Sequence, residues 1–225
     1  AGGADDELRR RMAAPRIAVL GPIALGPPDA LRPLGGLPAR ALLALAAADR
    51  PGDLEALAEV VWVGDRPASH RPALHVHLGK VRRALEQLGG GARLIRSAEG
   101  YSLDPGAAEL DARLATDLLD RARDGAAEDP VGARRLVEAA LGLWRGDPFT
   151  VDGEVVVATE AHHLEAMRRD AEELRVELLL TTGDSRAAEE AATRGVAAEP
   201  LREHRWGQLL RARYLAGRTG AAVAT

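Results

Sequence analysis

Between residues 69 and 91 the chain carries an apolar residue at every third or fourth position: Leu74, Leu78, Val81, Leu85 and Leu88. That spacing lines one face of an α-helix and predicts a helix from about 69–72 to 88, with Pro72 tolerated in its first turn. His75, Lys80, Arg82 and Arg83 fall off the stripe, and His77 lies at its border. The glycines at 89–91 end the helix. Upstream, RIAVL at 16–20 reads as a short strand, punctuated by Gly21 and Pro22 before a second at 23–25 and a further extended piece including Leu31. Residues 34–48 carry Leu37, Leu42, Leu43 and Leu45 among alanines and predict a helix. Asp49, Arg50, Pro51 and Gly52 break it, and Asp53 is the N-cap of a second helix reaching Trp62. Downstream, 94–95 and 101–103 are strand-like around a turn at 97–100. Three helices closed by a hairpin make an α+β winged helix.

The second half is helical throughout. Residues 104–110, DPGAAEL, read as a linker, and Asp111 caps a helix to about 123 with Leu114, Leu118 and Leu119 inward. Asp129 and Pro130 start the next, which runs to Trp144, and 145–153 is a loop. A long helix covers 155–180 on the stripe Leu164, Met167, Ala171, Leu174 and Leu178. Gly183 and Asp184 interrupt it, helices follow at 185–196 and 200–215, and the piece at 219–225 looks truncated. Helices paired across short turns suggest an all-α, tetratricopeptide-like repeat domain whose concave face binds another protein. No strict 34-residue consensus is present, so a plain helical bundle stays open.

The organisation expected is therefore a flexible leader or expression remnant at 1–15, a winged helix at 16–104 and a helical domain at 105–225. Composition narrows the chemistry. Aromatic residues are 3% of the 225, so both cores rest on Leu, Ala and Val. There is no cysteine, hence neither a disulfide nor a thiolate-bound metal. No apolar run reaches membrane-spanning length and no signal core opens the chain, which predicts a soluble cytoplasmic protein with no membrane partner. His70, His75 and His77 lack partners at metal-ligand spacing, so neither metal nor other cofactor is expected. No cysteine nucleophile and no glycine-rich loop before a lysine is present, which argues against an enzyme. Gly35 and Gly36 before a helix imitate an anion site, without the rest of such a motif.

The net charge is −4, but it is unevenly spread: residues 1–104 carry +2 and residues 105–225 carry −6. A helix with a basic outer face, followed by a hairpin, suits DNA. The helix enters the major groove, where base edges present distinct donors and acceptors, and flanking cations hold phosphates. The bland readings stay open beside it. Arg82 and Arg83 also suit solvated charges on an amphipathic helix, and His77 a border residue packed against the hairpin.

Six segments carry a family resemblance: PLGGLPARALLALAAADRP at 33–51, LAEVVW at 57–62, ALHVHLGKVRRAL at 73–85, LIRSAEGYSLDPGAAELD at 94–111, ALGLWRGDPF at 140–149 and PLREHRWGQLLRARYLAGR at 200–218. In this order and spacing the chain resembles the Streptomyces antibiotic regulatory proteins, in which an OmpR/PhoB-like winged helix precedes a bacterial transcriptional activation domain. The resemblance implies an activator of secondary-metabolite genes that binds direct repeats in double-stranded promoter DNA as side-by-side protomers. It implies recruitment of RNA polymerase, including its sigma factor, and a three-repeat helical domain. Some relatives continue into an ATPase or a phosphopeptide-binding module, so this chain is expected to be the front part of something larger.

Carried over by position, Lys80 and Arg82 are groove and backbone contacts, His75 a base contact, and His77 a phosphate contact, with Arg83 their neighbour. Arg40 matches a basic position of the first helix that approaches a phosphate, and Arg96 supports the wing. Gly100 and Tyr101 match the glycine and tyrosine that shape that wing. Pro72, Gly79, Ser97 and Glu99 depart from the family pattern and remove or oppose phosphate contacts, which implies weak binding by a single protomer. The alternative they open is a regulatory scaffold: a degenerate winged helix beside a helical domain that binds a protein or a small effector.

Overall fold

Apolar runs cut short by glycine and proline cannot make long strands, and the N-terminal sheet is built from strands of two or three residues. The computed structural model describes residues 2–48, 50–64 and 66–217. In chain order the first part contains α1 (Gly2–Ala13), β1 (Arg16–Ala18), β2 (Ala24–Gly26), β3 (Arg32–Pro33), α2 (Gly36–Ala47), α3 (Leu54–Val61), α4 (His70–Leu88), β4 (Arg93–Ser97), β5 (Gly100–Asp104) and β6 (Glu109–Leu110). The sheet order is β3-β2-β1-β6. β1 and β2 are antiparallel, with Ile17 opposite Leu25, whereas β1 and β6 are parallel, with Arg16 opposite Glu109. β4 and β5 form the separate hairpin, Arg96 opposite Tyr101. Asp53 caps α3 by accepting the Ala56 N–H at 2.8 Å, as its position before the apolar run predicts. α2, α3 and α4 beside the β4–β5 hairpin give the winged-helix arrangement, with α1 in addition.

The chain divides in space into two compact units, and the dividing line is not the one at 104/105 expected from the sequence. The first unit is Ala1–Leu114 with Trp144–Leu164, and the second is Ala115–Leu143 with Glu165–Thr225. The returning segment is joined to the first unit by backbone hydrogen bonds to the residues that follow β1. Arg145 donates its N–H to the Leu20 carbonyl at 2.7 Å, Phe149 to Val19 at 2.8 Å, and Ile23 to Thr150 at 2.9 Å. Phe149 is fully buried. The same segment holds a small hairpin, β7 (Thr150–Val151) with β8 (Glu154–Val155), where the sequence predicts a loop and the start of a long helix. Its turn is Asp152–Gly153, at φ 51° and 83°, the left-handed pair that a two-residue hairpin loop needs.

Two more differences concern segments taken as unstructured. Residues 2–13, expected as an unstructured leader, form α1, from which Arg11 donates to both carboxylate oxygens of Glu109 at 2.7 and 3.2 Å. The supposed linker supplies β6, fixed by the Glu109 N–H on the Pro15 carbonyl at 2.8 Å. Asp111, read as a helix cap, is fully buried and accepts the N–H groups of Val19 and Leu20 at 2.7 and 3.2 Å. Burial pushes its carboxyl up to about 6, against the lowering effect of those hydrogen bonds and of Arg145.

The second unit is helical: α5 (Asp111–Gly125) from Ala115 on, α6 (Pro130–Leu141), α7 (Ala158–Thr181) from Glu165 on, α8 (Ser185–Ala198) and α9 (Glu203–Leu215). Asp129 caps α6 and Asp184 caps α8, each accepting the N–H three residues on. α6 stops at Leu141, short of Trp144, where Gly142 caps it. Val176, Leu179, Ala188, Ala192, Val196, Leu209 and Ala212 pack into one core from α7, α8 and α9. The truncated piece expected at 219–225 lies outside the described residues.

Candidate nucleic-acid interface

α4 turns its apolar stripe inward, with Leu74, Leu78, Val81 and Leu85 buried. At 100° per residue the opposite side is centred on Pro72, Val76, Gly79 and Arg83, with Lys80 on one flank and His75 and Arg82 on the other. His75, Val76, Lys80, Arg82 and Arg83 are all exposed. Among the described residues Lys80, Arg82 and Arg96 enter no ion pair. Arg83 turns back to donate to the Gly79 carbonyl at 3.3 Å. The centre of this face is therefore neutral apart from Arg83; the exposed Glu86 lies nearer that centre than Lys80 and Arg82, which flank it.

The wing is joined to this helix through one aromatic residue. The Tyr101 hydroxyl lies 3.3 Å from His75 Nδ1, and the two rings meet edge to face at 6.2 Å. Arg96 places its guanidinium 5.9 Å from the Tyr101 ring centre. When Tyr101 donates to Nδ1, the neutral imidazole carries its proton on Nε2, a donor suited to the acceptor edge of a purine. The hairpin is also tied to the α2–α3 loop, since Gly52 and Tyr101 exchange both backbone hydrogen bonds at 2.8 and 2.9 Å. Gly100 permits this approach: its φ is +135°, and a Cβ there would lie 2.2 Å from the Gly52 carbonyl oxygen. At the tip, the Ser97 hydroxyl accepts the Glu99 N–H at 3.2 Å, and the Glu99 carboxylate is exposed.

The other sequence-chosen residues are differently engaged. His77 is half-buried and meets Trp62 edge to face at 5.9 Å; the ring partner is Trp62 rather than the hairpin. Burial and, second, the nearby Lys80 charge hold its imidazole below the usual value. Its Nδ1 is buried without a partner among the described residues. Arg40 is paired with Glu154, on the hairpin of the returning segment, and beside it Asp152 accepts the Gly36 N–H at 3.0 Å. Arg40 thus reaches a phosphate only by leaving Glu154.

Glu55 on α3 was not a candidate from sequence, yet it collects two guanidiniums and an imidazole from the approach and first turn of α4. Arg66 lies at 2.9 Å, Arg71 at 2.8 Å and His70 at 3.3 Å. Hydrogen bonds from Arg71 and then His70 hold its carboxyl down to about 2. Arg40 and the two arginines leading into α4 are thus engaged by carboxylates, whereas Lys80, Arg82 and Arg96 enter no ion pair among the described residues. No helix among the described residues is long and apolar enough to cross a membrane.

Known proteins resemble this arrangement in sequence and in fold. The family model described as bacterial transcriptional activator domain matches residues 110–225. The regulatory protein AfsR of Streptomyces griseus is 30% identical over 212 residues, 93% of this chain and 21% of its own length. AfsR of Streptomyces coelicolor is likewise 30% identical, over 214 residues. The transcriptional regulator RedD of that organism is 29% identical over 219 residues, 92% of this chain and 61% of its own. The chain thus spans about a fifth of the AfsR proteins it matches. Among solved structures, Mycobacterium tuberculosis EmbR, in complex with a low affinity phosphopeptide, aligns with a TM-score of 0.79 at 24% identity, covering 94% of this chain and 57% of EmbR.

Proposed function

The chain belongs to the bacterial transcriptional activator domain family, among the Streptomyces antibiotic regulatory proteins, and from that premise we propose that it is a sequence-specific activator that binds direct repeats in promoter DNA and recruits RNA polymerase. α4 is the recognition helix in this reading. Lys80 and Arg82 hold the two groove walls, His75 offers Nε2–H to a base, and Arg83 assists. Arg96 follows the backbone from a wing shaped by Gly100 and Tyr101. His77 and Arg40 are the weaker members, the first because it is half-buried beside Trp62, the second because Glu154 holds it. The helical unit, Ala115–Leu143 with Glu165–Thr225, forms a tetratricopeptide-like partner surface for the polymerase and its sigma factor. Two protomers sit side by side, in the cytoplasm, in control of secondary-metabolite genes. The chemistry is tethering rather than catalysis: two modest affinities joined in one chain raise the local concentration of polymerase at the promoter.

The observation that carries this reading is the set of exposed cations without ion pairs on α4 and its adjoining hairpin, Lys80, Arg82 and Arg96. Titration of a labelled promoter duplex across salt concentrations tests it. The affinity should fall steeply with salt, and Lys80→Ala should lower the slope by about one. A slope unchanged by Lys80→Ala, Arg82→Ala and Arg96→Ala contradicts it. A second reading, a scaffold with little DNA affinity, is favoured by the pairing of Arg40 with Glu154 and of Arg66 and Arg71 with Glu55. It predicts no salt-dependent binding to any duplex.

A further inference from the structure

α7, α8 and α9 enclose a cavity of about 320 Å³ whose wall includes Arg168, Arg175, Arg194 and Arg205. Two of these guanidiniums are engaged. Arg205 is buried and donates to Glu173 at 3.2 Å, to the Gly195 carbonyl at 2.9 Å and to Glu172 at 3.2 Å. Arg168 lies 3.8 Å from Glu165 and 3.6 Å from Glu172. Glu173 is further held by Arg202 at 2.7 Å. The carboxylates of the wall are thus matched to cations other than Arg175 and Arg194.

Those two remain. Arg175 has its Nε buried without a hydrogen-bond partner among the described residues, a condition that calls for an ordered water or an anion. Arg194 faces the same cavity from α8 and enters no ion pair among the described residues. Val176, Ala191 and Ala192 supply apolar surface to the same wall. Guanidinium forks match carboxylate and phosphate oxygens with paired, charge-assisted hydrogen bonds. The volume is at the small end of ligand pockets, roughly 300–1,000 Å³.

We propose that this cavity binds a small ligand bearing a carboxylate or phosphate group, held by Arg175 and Arg194 with its carbon skeleton on the alanine and valine wall. The site lies wholly within the helical unit and stands independently of DNA binding.

Calorimetric titration of the whole chain with inorganic phosphate, and separately with succinate, each against sodium chloride at matched ionic strength, tests it. Saturable one-to-one binding of at least one probe is expected, and which probe binds identifies the oxyanion. Arg175→Gln and Arg194→Gln should each weaken it about tenfold or more, the loss expected for a hydrogen bond to a charged group. Arg194 is exposed, so its variant keeps the test valid should Arg175→Gln fail to fold. A Lys80→Ala, Arg82→Ala double variant should bind the probe as the wild type does. No saturable binding of either probe, undiminished binding by both arginine variants, or binding lost in the double variant would overturn the proposal.

Discussion

The Tyr101 hydroxyl stands 3.3 Å from Nδ1 of His75 and so couples the wing to the helix whose outer face it flanks. Tyr101 itself is buried, so its hydroxyl has little water to turn to, and the bond orients an imidazole that is otherwise free in solvent. Tyr101→Phe should cost about 0.5–1.5 kcal/mol in denaturant unfolding. It should lower promoter affinity without altering the salt slope, because no cation is removed. A changed slope would show that His75 acts as a charge rather than as an oriented donor.

Two glycines of the same region should respond in opposite ways to alanine. At Gly100 the added Cβ meets the Gly52 carbonyl oxygen at 2.2 Å with φ at +135°, so the wing must leave the α2–α3 loop. A loss of about 2 kcal/mol or more is expected, from backbone strain of roughly 1–3 kcal/mol together with the lost contacts to Gly52. At Gly79 a Cβ meets nothing within 4 Å, and alanine should stabilise α4 by about 0.5–1 kcal/mol. Thermal unfolding of the two variants checks the pair.

Glu55 withholds Arg66 and Arg71 from solution. Glu55→Gln should release both, raise affinity for any duplex, and steepen the salt dependence by about 0.9 for each phosphate then neutralised. Since the carboxyl is held down to about 2, the wild-type effect should not vary between pH 5 and pH 8, roughly the range in which such a carboxylate stays ionised. A reduced slope in Glu55→Gln would show that Glu55 positions these arginines on DNA instead of competing with it.

Asp111 makes stability depend on pH in the direction opposite to most carboxylates. Its folded-state value, about 6, lies above the ordinary 3.8, so the folded chain binds the extra proton between those values. Stability should be greatest at the acid end of that window for this group and fall as pH rises through it, by on the order of 3 kcal/mol in full. Asp111→Asn should flatten the profile between pH 4 and pH 6, a window of about two units. Chemical unfolding at a series of pH values reads both.

The helices are legible in the sequence because their signals are local. Five apolar residues spaced at three and four delimit α4, and Asp53 and Asp129 mark helix starts by position alone, whereas Asp184, read as an interruption, caps α8. What the sequence conceals is long-range. Arg40 and Glu154 are 114 residues apart, and Arg11 and Glu109 are 98 apart. A lone charge carries no periodicity that would name its partner. The return of Phe149 to the first unit is hidden for the same reason. One local signal was present there: Asp152–Gly153 is a hairpin dipeptide, obscured because its strands are two residues each. On α4 the pattern correctly separates buried from exposed residues, yet it gives no warning that Tyr101 holds His75 or that Trp62 holds His77.

The central claim is that α4 and its hairpin read promoter DNA, and footprinting on the DNA upstream of the native gene cluster tests it most directly. The account predicts protection in direct repeats, lost in both Lys80→Ala and Arg82→Ala at protein concentrations that saturate the wild type. Protection that persists unchanged in the two variants, or none from the wild type, would contradict it.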